Sequence, residues 1–385
     1  MICIEVCSKL HIEMKLNYFI IAGEASGDLH ASHLMHEMKI VSPNIAFSGI
    51  GGEMMSKEGL QSIVNIDKMA IMGFWEVLKN FRFLKRVEQQ VLDSIKTNKF
   101  DAVILIDYPG FNLRIAKKIK KLKPQIKIFY YISPQIWAWK ENRIDTIKKY
   151  IDKMIVIFEF EKKWYEKRGL NVDFVGHPFI DIYNNFDKRQ ALLDLGLSTE
   201  KKYLTLFPGS RKQEIENHLP YMLQAIQNDF FNDFEILLGQ ATTLGGDIAK
   251  KYHTHGIKVI KDSPEMALAA ADFAWVGSGT STLESVLLNT PIILVYKTSS
   301  LSWYLMQKMV KVKFAGMPNI IMNQPIIPEL LQKKLTAENL IIETKRFFND
   351  KRYQMKMESA YENIKNALGS SGASKRAAEI IVNEG

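Results

Sequence analysis

Only two cysteines occur in the 385 residues, Cys3 and Cys7, so no disulfide framework and no cysteine metal site supports the body of the fold. That usage fits a reducing, cytoplasmic compartment. No apolar run approaches the roughly eighteen residues that a membrane-spanning helix needs. The stretch Met1 to Glu13 has no basic n-region and carries Glu5 and Glu13, unlike a secretory signal. Met14-Lys15-Leu16 opens the first strand, and residues 1–13 are expected to be a non-native or disordered extension. The chain also lacks a Gly-x-Gly-x-x-Gly fingerprint, an Asp-x-Asp motif, zinc-finger spacing and any solenoid repeat. Without a helix-turn-helix or an RNA-binding aromatic signature, nucleic acid is not an expected partner, despite a net charge of 51 − 42 = +9. His30, His33 and His36 spread over about 120° of one helix and about 9 Å of its length, too far to converge on a metal, and read as polar-face or groove residues.

What is present is a full core, with 47% apolar and 24% charged residues, and length enough for two domains. Short apolar runs without alternation recur: Tyr18–Ile21, Ile45–Ile50, Ala102–Ile106, Ile126–Ile132, Met154–Ile157 and Val172–Val175. After a polar stretch from Asn184 to Lys202 comes a second series: Tyr203–Phe207, Phe234–Leu238, Ile257–Ile260, Phe273–Val276 and Ile292–Tyr296. Such runs mark parallel strands buried on both faces. The pattern predicts an α/β fold with two doubly wound, Rossmann-like domains facing across a cleft. The boundaries expected are 14–180, 181–350 and C-terminal helices over 351–385. No strand is expected beyond Pro328, and at least one late helix should pack back on the first domain.

The loops after the strands carry the chemistry. Ala22-Gly23-Glu24-Ala25-Ser26-Gly27-Asp28 follows the first strand and precedes a helix read as Leu29 to Ile40. Its carboxylates, Glu24 and Asp28, with Ser26, suit sugar hydroxyls or acid/base work better than phosphate; the plainer alternative is a helix cap by Asp28. Asp107 ends the buried run Ala102–Ile106, a rigid seat for a general base or for a structural acceptor. In the second domain, Val276-Gly277-Ser278-Gly279-Thr280 leads into a helix whose first turn suits a diphosphate, with Glu284 in reach of a ribose diol. Phe207-Pro208-Gly209-Ser210-Arg211 supplies a guanidinium for phosphate oxygens. Two such loops in one domain point to a nucleotide diphosphate.

Two stretches combine bulky apolar and basic residues. Ile71, Phe74, Trp75, Leu78 and Phe81 fall near one helical face, flanked by Lys79, Arg82, Lys85 and Arg86. That pattern fits an interfacial helix or a lid over an acyl chain, or simply core. Ser302 to Phe314, with Trp303, Tyr304, Lys308, Lys311 and Lys313, is a second stretch of this kind. Trp137-Ala138-Trp139 reads either as the lip of a cleft or as packing.

From Lys15 onward the chain resembles the lipid-A-disaccharide synthase family, inverting glycosyltransferases. The matching motifs are Ala22 to Asp28, Met72 to Leu78, Ile106 to Asn112, Ser133 to Trp139, Gly176-His177-Pro178, Pro208 to Arg211, Ser278 to Glu284 and Pro318-Asn319. The resemblance implies a GT-B fold and transfer of a sugar from UDP-2,3-diacylglucosamine to 2,3-diacylglucosamine 1-phosphate. A β-1,6 linkage forms and UDP leaves, without metal or cofactor. It further implies Asp107 as the catalytic carboxylate, Arg211 with Gly209 and Ser210 at the UDP phosphates, and Ser278, Gly279 and Thr280 as the diphosphate cradle. Glu284 would hold the ribose, Asn319 would line the donor site, and Glu24 to Asp28 would shape the acceptor side. Acylated substrates imply a cytoplasmic enzyme peripherally associated with the inner-membrane surface; a homodimer is compatible with it. One departure stands out, since many relatives carry a second aspartate where this chain has Gly110.

Other readings share parts of this pattern. A UDP-sugar epimerase or another GT-B transferase would keep both second-domain loops but has little use for an amphipathic Trp/Phe/Arg helix. A non-catalytic sugar-nucleotide binder at the membrane surface would not depend on Asp107.

Overall fold

The computed structural model describes residues 15–66, 81–183, 186–241 and 256–385. The chain divides into two compact units, one running to Pro178 and including Gly372–Gly385, the other spanning Phe179–Ser371.

In the first unit the strands are β1 (Leu16–Ala22), β2 (Ile45–Gly51), β3 (Leu60–Asn65), β4 (Ala102–Ile106), β5 (Lys127–Tyr131), β6 (Lys153–Val156) and β7 (Asp173–Phe174). They form one parallel sheet in the order β3-β2-β1-β4-β5-β6-β7. The central strands are those with unbroken apolar sequence: Tyr18–Ala22 and Ala102–Ile106 are wholly buried because helices cover both faces. β3, Leu-Gln-Ser-Ile-Val-Asn, is a half-polar edge strand without such a run. The Phe81–Thr97 helix buries Leu84, Val87, Val91 and Ile95 and leaves Arg82, Lys85 and Arg86 exposed.

The second unit repeats the plan with β8 (Lys202–Phe207), β9 (Phe234–Gly239), β10 (Lys258–Ile260), β11 (Phe273–Gly277), β12 (Ile292–Tyr296) and β13 (Glu329–Leu331). The order is β10-β9-β8-β11-β12-β13, again parallel. In each sheet the direction of winding reverses once, between β1 and β4 and between β8 and β11. Ligands of open α/β sheets collect outside the carboxyl ends of such a strand pair.

Three sequence expectations are corrected. β13 is a strand beyond Pro328, three residues long at a sheet edge and too short to show a period. The first helix spans Ala25–Val41 and so begins four residues before Leu29. His30, on that helix, is buried rather than on a polar face. The expected return of the chain is the Ala373–Glu384 helix, which packs on Ala25–Val41. Ala373, Ala377, Ala378 and Ile381 lie fully buried in that contact. The Arg376 guanidinium donates from Nε and Nη2 to the Val175 carbonyl at 2.9 and 2.7 Å. Lys153 pairs with Glu384 at 2.7 Å.

Candidate active site

In the first unit, β1 and β4 run in register to Ala22 opposite Ile106. Gly23 and Asp107 are therefore the first residues past the sheet on adjacent strands at the switch point. They are tightly fitted. A β-carbon on Gly23 would lie 2.2 Å from Cδ1 of Tyr108, so only glycine lets that ring lie across the loop. Asp107 and Tyr108 both take left-handed backbone conformations, φ 40° and 47°. Two successive non-glycine residues in this region cost on the order of 1–2 kcal/mol each. The surroundings hold them there. Asn112 Nδ2 donates to the carbonyls of Ile106 and Asp107 at 3.0 and 2.7 Å, and the Tyr130 hydroxyl donates to the Asp107 carbonyl. The Asp107 N–H donates to Tyr131 O at 3.1 Å. Stored strain that is over-determined in this way is typical of functional turns. Burial, reinforced by the nearby Glu24 carboxylate, pushes the Asp107 carboxyl up to about 7, against a lowering hydrogen bond from the Tyr108 amide. A carboxylate with that affinity is matched to taking a proton near neutral pH.

Glu24 is exposed at this loop and Ser26 is partly exposed. Asp28 is turned into the fold, so its part in shaping this loop passes through the backbone groups it holds. Its buried carboxylate accepts from the N–H groups of Gly52, Met54 and Met55 at 2.7, 3.1 and 3.2 Å. It caps the following short helix, Glu53–Lys57, and not its own. The spacing of 24 residues hid this from the sequence. Gly110, on the first turn of the Pro109–Leu122 helix, faces open space.

A second carboxyl escaped the sequence reading. Glu161, on the first turn of the Glu159–Glu166 helix, is buried and accepts from Trp137 Nε1 at 3.0 Å. Burial raises it to about 8, opposed by the Trp137 bond and the amides of Phe158 and Ile157, with Asp107 adding a smaller upward push. Trp137 is thereby fixed as a half-buried side chain braced from below, rather than a free lip. The Ser133 hydroxyl bonds that of Tyr165 at 2.8 Å beneath the same segment.

In the second unit, β8 and β11 pair up to Phe207 opposite Val276, so Pro208, just past β8, lies beside Gly277, the last residue of β11. The loops touch: a β-carbon on Gly277 would stand 2.9 Å from the Pro208 carbonyl. His218, buried on the Lys212–Ala225 helix, ties them to β12. Its Nε2 accepts from the Lys297 N–H at 2.9 Å, so Nδ1 carries the proton and donates to Pro208 O at 2.6 Å. Burial lowers its pKa, which keeps that neutral tautomer. The amides of Ser210 and Arg211 both donate to Glu214 Oε2, at 2.9 and 3.2 Å. What Arg211 offers an anion is therefore its exposed side chain, not the amides of Ser210 and Arg211. Gly209 adopts φ +130° above Glu214.

Gly279 and Thr280 are exposed at the head of the Ser281–Leu287 helix, and Gly279 at φ +152° has open space beside it. Ser278 Oγ donates to Ala315 O at 3.4 Å. Glu284 sits one turn in, where burial and Glu265 raise its carboxyl to about 7 against a bond from the Thr280 side chain. Asn319 is 1% exposed, its side chain turned into the fold. Its Oδ1 accepts from Ile326 and Ile327 N–H at 2.7 and 2.9 Å, and its Nδ2 donates to Ile327 O and Glu329 Oε1 at 3.0 and 2.9 Å. Glu329 in turn holds the amides of Ala315 and Gly316. Asn319 thus supports the segment on which Ser278 rests.

Ile71, Phe74, Trp75 and Leu78 lie outside the described residues, and Phe81 opens the helix that follows them. No group of three or more His, Cys, Asp or Glu side chains is placed to hold a metal among the described residues. None of the described helices is long and apolar enough to cross a membrane.

Residues 18–382 match the family model for lipid-A-disaccharide synthetase. A lipid-A-disaccharide synthase of Coxiella burnetii is 36% identical over 368 residues, covering 94% of this chain and 97% of that protein. Lipid-A-disaccharide synthase 1 of Legionella pneumophila is 38% identical over 371 residues, covering 95% and 96%. Among solved structures, UDP-GlcNAc 2-epimerase from Neisseria meningitidis superposes with a TM-score of 0.65 at 13% identity, covering 96% of this chain and all of that one. The calicheamicin glycosyltransferase CalG4 superposes with a TM-score of 0.58 at 12% identity, covering 96% and 98%. These likenesses are of fold, and the fold is GT-B.

Proposed function

The chain belongs to the lipid-A-disaccharide synthetase family, and we propose that its glycosyl transfer runs through the two switch-point loop pairs described above. It is a glycosyltransferase of lipid A assembly. The donor is UDP-2,3-diacylglucosamine and the acceptor 2,3-diacylglucosamine 1-phosphate. Asp107 takes the proton of the acceptor 6-hydroxyl as that oxygen attacks the anomeric carbon from the face opposite UDP. The bond from carbon to the diphosphate oxygen breaks, UDP leaves with the electron pair, and the configuration inverts to β. Arg211 and the head of the Ser281–Leu287 helix meet the charge developing on the diphosphate. Glu284 accepts from the ribose hydroxyls.

The observation carrying this reading is the Asp107 turn, a strained and over-braced carboxyl at a switch point with its pKa pushed up to about 7. The test is incubation of the purified protein with both glycolipids in detergent. UDP and the disaccharide 1-phosphate are expected in equal amounts, and Asp107→Asn should lower turnover by about 10²–10⁴ while UDP binding survives. Near-normal turnover in that variant would remove Asp107 as the base.

Both substrates are acylated, so the reaction takes place at the inner-membrane surface. The contact face assigned to it is Ile71, Phe74, Trp75, Leu78 and Phe81 with Arg82. Phe74→Ser/Trp75→Ser should cut sedimentation with anionic vesicles and leave the melting temperature nearly unchanged. A large drop in melting temperature would make these residues core.

A further inference from the structure

The Ser300–Met309 helix is amphipathic in the wrong direction for a folded core. Leu301, Tyr304, Leu305, Lys308 and Met309 follow the spacing i, i+3, i+4, i+7, i+8, the stripe that a surface helix normally turns inward. Here the stripe is turned outward: Leu301 is 62% exposed, Tyr304 53%, Leu305 48% and Met309 44%. No residue of the helix is buried. The segment after it continues the pattern, with Val310, Lys311 and Lys313 exposed. Lys308 lies over the Tyr304 ring at 4.4 Å, so its methylene stem covers apolar surface while the ammonium reaches water.

Along this stretch of sequence the charge is of one sign. From Ser285 to Pro328 the chain contains no aspartate or glutamate, and its only charged residues are Lys297, Lys308, Lys311 and Lys313. An apolar ridge carrying Tyr304 and edged by lysines matches the layering of a bilayer interface, with acyl carbon below and anionic headgroups at lysine height. A second copy of this chain is a poorer fit. A two-fold contact on this face would set lysine against lysine with no acid in the segment to pair them.

We propose that the Ser300–Met309 helix with Val310–Lys313 is a docking surface for an anionic lipid bilayer. It lies in a different unit from the 71–82 face, and it stands whether or not that face binds and whatever sugar is transferred.

The experiment is sedimentation of the full chain, without substrates, with vesicles of phosphatidylcholine alone and with added phosphatidylglycerol. Lys308→Glu/Lys311→Glu/Lys313→Glu should lose roughly a hundredfold in partitioning to the anionic vesicles, from about a factor of five per lysine. Leu301→Ser/Tyr304→Ser/Leu305→Ser/Met309→Ser should abolish the binding that persists at high salt. Circular dichroism should be unchanged in both, since these side chains are exposed or half-exposed. Should the serine variant misfold, the lysine variant decides alone. Wild-type partitioning in the lysine variant would overturn the proposal. So would a dimer in light scattering that the serine variant breaks while vesicle binding persists, which would make the face a contact between copies. Because no substrate is present, either failure leaves the transfer assay to be judged separately.

Discussion

A carboxylate that is to take a proton near neutral pH needs a raised pKa and a fixed direction, and Asp107 receives each from a different source. Burial and the Glu24 charge raise the pKa; Asn112, Tyr130 and the Tyr131 carbonyl fix the backbone. The proposed base acts in its ionised form, so kcat/KM should climb with pH through about 7. Stability runs the other way. The folded chain holds a proton on Asp107 that the unfolded chain, at the ordinary value of 3.8, releases. The stabilisation from this group is complete below about 4 and is lost as pH rises through about 7. Asp107→Asn has no such loss. Its stability relative to the parent should therefore increase between pH 4 and 7 and level off above, as read by denaturant unfolding of both proteins across that range. A constant difference would mean that Asp107 is not raised. Arg211 and Glu284 separate by the nature of their partners. Arg211→Ala should weaken UDP binding by an amount that shrinks with added salt, because charge is screened. The Glu284→Ala deficit should be visible with UDP and nearly absent with its 2′,3′-dideoxy analogue; equal deficits with both nucleotides would refute the ribose assignment.

At the scale of elements, the strands and the loops after them could be read from sequence because parallel strands announce themselves as unbroken apolar runs. Tyr18–Ile21, Ala102–Ile106 and Phe273–Val276 are wholly buried, and the loops following them hold Glu24, Asp107 and Thr280. Three kinds of information were not there. Edge strands β3 and β13 are short or half-polar. Asp28 and Glu161 act on backbone or indole groups distant in sequence, and no local spacing encodes such a partner. The resemblance alone assigns Asn319 to the donor site, and a polar side chain beside Pro318 reads the same in sequence whether it faces a ligand or clamps a chain reversal. Its clamp sets up a sharp contrast. Asn319→Ala leaves buried amides at Ile326 and Ile327 unpaired, so it should cost about 2–4 kcal/mol of unfolding free energy. Its UDP affinity, measured well below the melting temperature, should fall far less than that of Arg211→Ala. The reverse ranking would return Asn319 to the donor site.

Across the whole molecule the chain closes on itself. The Gly372–Gly385 segment follows nearly two hundred residues of the second unit, yet belongs to the first. Its helix places Ala373, Ala377 and Ala378 where small side chains let it approach the Ala25–Val41 helix, with Ile381 filling the remaining space. Arg376 then takes the Val175 carbonyl, just before the Gly176-His177-Pro178 turn at which the chain leaves the first unit. The Ala25–Val41 helix also carries buried Asp28, whose carboxylate organises the turn after β2. Loss of the last helix should therefore be felt around the 23–28 loop and the turn after β2. A chain ending at Ser371 exposes apolar surface on Ala25–Val41, worth about 25 cal/mol per Å² uncovered, and leaves the Val175 carbonyl without its guanidinium. Hydrogen exchange should then quicken over residues 16–41 and 45–57, while β8, β9, β11 and β12 keep their protection because their neighbours lie within the second unit. Equal loss of protection in both sheets would show that the final helix supports the entire chain rather than the unit it packs on.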